Sequence, residues 1–139
     1  MIEWLIIDYS AKLRINKQMN LTDKLITVLK RGTPVYGTIQ KSFSKKDALE
    51  ILEECLKLKI TVFGGDVVEY KNNYFEHNYD NWSCERKKNE SDADYALRSA
   101  KRAIKYILEY KKDNAYFILV LNVKDENIKQ HLFFNEMIL

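Results

Sequence analysis

The stretch Phe63-Gly64-Gly65-Asp66-Val67-Val68-Glu69-Tyr70-Lys71 sets two carboxylates and a lysine close together, with two glycines beside them. In metal-dependent nucleases, carboxylates at a strand end hold a divalent ion while a lysine steadies the attacking water or the developing charge. The spacing argues against that chemistry here. Side chains alternate along a strand, so Asp66 and Glu69, three apart, point to opposite faces and cannot share an ion. The glycines then become architectural. Gly64-Gly65 is expected to form a bulge or a close backbone approach, with Asp66 accepting hydrogen bonds from a neighbouring turn.

His77, Asp80 and Cys84 contain the ingredients of a cysteine nucleophile with a histidine base, because a thiolate needs an adjacent proton acceptor or positive charge near neutral pH. All three sit on one short segment. No helix N-terminus or glycine-rich turn directly follows Cys84 to build an oxyanion hole. As zinc ligands the two histidines and two cysteines lack paired spacing. Neither a metal nor a cofactor is expected, and the chain is read as non-enzymatic.

A second candidate is cationic. Arg86, Lys87 and Lys88 precede a helix whose outer side carries Arg98, Arg102, Lys105 and Lys112, the kind of cluster that neutralises phosphates. Glu85, Glu90, Asp92, Asp94 and Glu109 are interleaved with it, and a mixed-charge face is normally just solvated. A nucleic-acid-binding or metal-dependent nuclease-like protein is therefore the alternative reading.

The segment from Phe63 to Trp82 is different in character. Asp66, Glu69, Glu76 and Asp80 face only Lys71 and His77, so the stretch is acidic within a chain of net charge +3. Tyr70, Tyr74, Phe75, Tyr79 and Trp82 crowd it with the aromatic types that anchor protein interfaces. An acidic, tyrosine-rich edge suits a basic protein partner, since complementary charge speeds encounter and buried rings slow release. Alternation along a hairpin sends one face inward, so only part of the set is expected to be exposed.

These residues need elements to position them. Ile2, Leu5, Ile6, Tyr9 and Leu13 have the spacing of an amphipathic helix, with a β-branched content that leaves a strand open, and Leu21, Leu25, Val28 and Leu29 repeat the helical pattern before Gly32 and Pro34 stop the run. Ser44 with Asp47 three residues on caps a third helix running to about Lys59, its stripe formed by Ala48, Leu52, Cys55 and Leu56. From Ile60 the period changes to that of a strand, and Lys71-Asn72-Asn73-Tyr74 supplies a tight turn leading into a return strand toward Trp82. Ser91 opens the longest helix, with Ala96, Ala100, Ala103, Ile104, Ile107 and Leu108 on its inner face. Ala115 to Val123 is a central strand, and Ile128 to Leu139 returns as a strand or a short helix. The pattern predicts an α+β fold, a single domain over residues 1–139, with helices packed on one face of an antiparallel or mixed sheet.

Composition agrees with that frame. A chain of 139 residues, 46% hydrophobic, has four glycines, one proline and no biased tract that would mark a linker. Two cysteines do not make a disulfide framework, which favours a reducing cytoplasm. The opening Met1 to Ser10 carries Glu3 where a signal peptide has basic residues. No apolar run approaches the roughly 20 residues of a membrane span.

The run Ile60 to Tyr70, then Tyr79-Asp80-Asn81-Trp82, then Ser99 and Tyr106-Ile107, resembles the family called immunity protein 40, over about Ala48 to Ile107. Members of that family are found beside bacterial polymorphic toxins. The resemblance implies a small α+β protein, made by the toxin-producing cell and its kin, that binds a cognate toxin domain and blocks it. The family pattern falls on Gly64, Gly65, Asp66, Tyr79, Asn81 and Trp82. Gly64, Gly65, Asp66, Asn81 and Trp82 are expected to define the fold. Contact with the toxin is expected from the outward members of the hairpin, Glu69, Tyr70, Tyr74, Glu76, Tyr79 and Asp80.

Overall fold

The computed structural model describes residues 22–133. The first segment, Ile2 to Leu13, expected as a helix with a strand as the alternative, lies outside them. Residues 22–29 form helix α1, which turns at Lys30 and Arg31 and stops at Gly32. Two short strands follow that sequence periodicity does not reveal, β1 (Thr33–Pro34) and β2 (Lys41–Ser44). Helix α2 (Lys45–Leu58) begins where Ser44 Oγ accepts the Asp47 amide at 3.2 Å. It ends at Lys59, whose φ of 57° lets the Ile60 amide reach back to the Cys55 carbonyl.

The hairpin consists of β3 (Val62–Lys71) and β4 (Tyr74–Ser83). Asn72 and Asn73 adopt φ of 52° and 69°, the left-handed pair that a two-residue hairpin loop demands. Helix α3 (Asp92–Glu109) follows, then β5 (Ala115–Leu121) and a short helix α4 (Glu126–Leu132). The last segment thus resolves as a helix over its described part. Strand order is β1-β2-β5-β3-β4, and every pairing is antiparallel. The expected central strand, β5, takes the middle place, and the hairpin's return strand β4 lies at the edge.

The described helices bury their apolar faces on one side of this sheet. Leu25, Leu29, Ile51, Leu52, Cys55, Ala100, Ala103 and Ile107 join Phe43, Val67, Trp82 and Phe117 in one core. Val35, Val68 and Ile118 form a smaller cluster on the other side, against Phe75 and Tyr116. The inner face of α3 departs from expectation at Leu108, which is exposed, while Tyr95 and Ser99 are buried in addition. Ser99 is inside because its hydroxyl does backbone work: it accepts the Val62 amide at 2.9 Å and donates to the Ala96 carbonyl at 3.0 Å.

The glycine pair answers the question its sequence raises. The ladder between β3 and β5 shifts register between Val62 and Gly64, which is the bulge. A Cβ on Gly64 would stand 2.2 Å from the Trp82 carbonyl oxygen, and one on Gly65 would stand 2.3 Å from the Trp82 ring. Both glycines and Trp82 are therefore tied to strand packing. Asp66 pairs with Asn81 and Ile118 at a half-buried position, and no hydrogen bond reaches its carboxylate among the described residues. The expected bonds from a neighbouring turn are not found there.

The segment after β4 is clamped onto α3 by two ion pairs, Arg86 with Asp92 and Arg98 with Glu90, of which the second is the more elaborate. Arg98 Nε and Nη2 donate to the two Glu90 oxygens at 2.7 and 2.8 Å, and the Lys87 amide adds a third bond at 3.0 Å. The Arg98 bonds, with the Lys87 amide next, hold the Glu90 carboxyl down to about 2.

Two outcomes follow from this packing. Gly64→Ala should cost about 2 to 3 kcal/mol, because the new methyl meets backbone that cannot yield, and a urea unfolding midpoint reads the loss. Since the folded Glu90 carboxyl titrates below the unfolded value of about 4.3, its contribution is complete above about pH 5 and is lost as pH falls through about 2. Stability measured from pH 6 to pH 2 should therefore fall less steeply in Glu90→Gln, which starts from a lower plateau.

Candidate protein-binding edge

Strand β4 is an edge strand, and its free edge is interrupted. Asp66 pairs with Asn81 and Val68 with His77, so three residues, Asn78 to Asp80, stand opposite Val67 alone. Tyr79 lies at the tip of this bulge with φ of 67° and 87% of its surface exposed. Left-handed backbone is uncommon for a bulky residue and persists only where neighbours hold it. Here the holding group comes from the end of α3. Tyr110 Oη accepts from Asn78 Nδ2 at 2.8 Å and donates to Asp80 Oδ2 at 2.7 Å.

Local bonds complete the bulge. The Asp80 amide donates to Asn78 Oδ1 at 2.9 Å, and Asn81 Nδ2 donates to the Tyr79 carbonyl at 3.1 Å. Burial first, and then the bond to Asp80, push the Tyr110 hydroxyl up to about 12, so it keeps its proton and stays a donor. The Tyr110 ring is fixed in turn against Phe117 and Tyr106, at 5.6 and 5.9 Å between centroids, and Tyr106 stacks on Trp82 at 4.7 Å.

The six hairpin positions singled out from sequence separate into three groups. Tyr74, Glu76, Tyr79 and Asp80 line the β4 rim. Tyr74 is 51% exposed and its hydroxyl donates to Glu76 Oε1 at 2.9 Å, while Asp80 is exposed beside the bulge. Tyr70 is 43% exposed but lies on the far face of the sheet, in an aromatic cluster with Phe75 and Tyr116. Glu69 does not face outward as expected, being only 8% exposed. Its oxygens lie 3.8 Å from Lys71 Nζ and 3.6 Å from Lys112 Nζ.

That pairing changes the electrostatics of the edge. Burial pushes the Glu69 carboxyl up, but the Asn78 hydrogen bond and the Lys112 and Lys71 charges outweigh it and hold the group below its ordinary value. Glu69 is thus a neutralised anion, and the acidity of the exposed rim comes down to Glu76 and Asp80. Sequence reasoning did not find Asn78 or Tyr110. The available signal was Asn78-Tyr79-Asp80-Asn81, three turn-forming side chains inside a strand.

The other candidate chemistries are not assembled. Asp66 and Glu69 do face opposite sides of β3, and no group of three or more His, Cys, Asp or Glu able to hold a metal ion occurs among the described residues. His77 pairs with Val68 while the Cys84 amide bonds the Phe63 carbonyl, which sets the two about 16 Å apart along β3 at roughly 3.3 Å per residue. Cys84 is buried and takes a hydrogen bond from Arg98 Nη1 at 3.1 Å. On the basic side of α3, Arg98 is turned into the Glu90 clamp and Arg86 pairs with Asp92, which leaves Lys101, Arg102 and Lys105 exposed. No described helix is long and apolar enough to cross a membrane.

Residues 35–121, more than half of the chain, match the family model described as Immunity protein 40. The match takes in β2 to β5, including the bulged edge and its Tyr110 brace. No curated protein and no solved structure matches the chain.

Proposed function

The chain belongs to the Immunity protein 40 family, and from that premise we propose that it binds a cognate bacterial polymorphic toxin domain and neutralises it by stoichiometric occlusion. The family match is the observation that carries this reading. The β4 rim supplies a surface suited to it: Tyr74 and Tyr79 offer ring area, while Glu76 and Asp80 attract a basic partner. Binding alone suffices, and no chemistry by this chain is required. The compartment is the bacterial cytoplasm, in which the free thiols Cys55 and Cys84 stay reduced.

The alternative of nucleic-acid binding rests on the exposed Lys101, Arg102 and Lys105. It predicts salt-sensitive association with DNA or RNA. Immunity predicts the opposite pattern, inertness toward nucleic acid and a tight complex with the neighbouring gene product.

Co-expression with the toxin domain encoded beside this chain should restore growth and yield a co-purifying one-to-one complex. Within that complex, Glu76→Lys should slow association about ten-fold at low salt, with the difference shrinking as salt is raised. Persistent toxicity with no complex, although both proteins are soluble, would overturn the proposal.

A further inference from the structure

The position of Tyr79 is unusual in four independent respects. The residue is 87% exposed and its ring pairs with no other aromatic ring among the described residues. Its backbone sits at φ of 67°, where asparagine or glycine is more comfortable than an aromatic residue. The two residues flanking it are bound to a single hydroxyl, that of Tyr110, from a different element. Finally, Asp80 beside it and Glu76 on the same rim give its surroundings a negative charge. A strained loop presenting a bare ring, with its own brace, has the layout of a pre-organised anchor.

Resting on the immunity reading above, we infer that Tyr79 is the anchor of the toxin interface and that Tyr110 is the positioning residue that holds it ready. The partner surface it fits is a ring-sized apolar pocket rimmed by cationic side chains. Tyrosine suits such a role because it carries a large, rigid area on only two rotatable bonds, so little freedom is lost when it docks. Holding the backbone in advance removes a further ordering cost. The bulge also decides the mode of recognition. Since residues 78–80 break the regular edge of β4, a partner strand cannot run along it continuously, and insertion of a side chain replaces strand addition.

The test uses the purified chain and the purified toxin domain encoded beside it, in its catalytically inactivated form, with Kd and association rate measured for each variant. Tyr79→Asn should weaken binding about thirty-fold or more while its melting temperature equals or exceeds that of the wild type, because asparagine accepts positive φ. Tyr110→Phe keeps the ring against Tyr106 and Phe117 but loses both bridging bonds. It should weaken binding about ten-fold, with most of the change in the association rate.

The double variant should bind no more weakly than Tyr79→Asn alone, a non-additivity that a purely structural role for Tyr110 would not produce. If Tyr110→Phe fails to fold, Asn78→Ala tests the same brace from its other end. A wild-type complex that Tyr79→Asn binds within three-fold overturns the anchor and leaves the immunity reading standing. Wild-type affinity in Tyr110→Phe, or full additivity, overturns the brace. Absence of any wild-type complex overturns the reading beneath both.

Discussion

The Trp82 ring lies directly over the bare backbone of Gly65, and this one contact decides how the rest of the sheet is joined to its helices. The ring occupies the space that any side chain at position 65 would need, and it also stacks on Tyr106 of α3. Edge strand, inner strand and longest helix therefore meet at one aromatic plane. Shape governs the placement more than polarity does, since Trp82 Nε1 is buried with no hydrogen-bond partner among the described residues. From Tyr106 the aromatic packing continues to Tyr110 and Phe117, which carries the fixed geometry of the core out to the strand edge.

Those parts of the fold that depend on neighbours in sequence were legible from the residues alone. Ser44 and Ser91 cap their helices through amides three positions on, and Asn72-Asn73 makes the turn that its composition demands. The run from Ala115 is apolar on both faces because β5 has strands on either side and packed residues above and below. Strands β1 and β2 were not legible. They are too short to show alternation, and what makes them strands is the partner each finds in β2 or β5. Leu108 has the spacing of an inner residue but is exposed beside the fully buried Ile107, on the margin of the face that α3 turns to the core.

The site was legible in residue type and obscure in arrangement. Counting charges from Phe63 to Trp82 marked the hairpin as acidic, but Lys112, distant in sequence, lies against Glu69 and cancels much of that charge. Alternation correctly implied two faces. It gave no hint that Asn78 to Asp80 would leave the ladder, because a bulge of this size inserts an even number of extra residues. Glu76 and Trp82 consequently keep the same face on either side of it, as they would in an unbroken strand.

This parity has a consequence for how the sequence is free to vary. Residue 79 takes part in no cross-strand pair and fills no core volume, and the backbone register on either side does not depend on what stands there. The ladder, the Gly65 and Trp82 contact and the Tyr110 brace constrain other positions. Position 79 is therefore limited by its positive φ and not by packing, so a side chain that accepts left-handed backbone can stand there without any refitting of the scaffold that displays it.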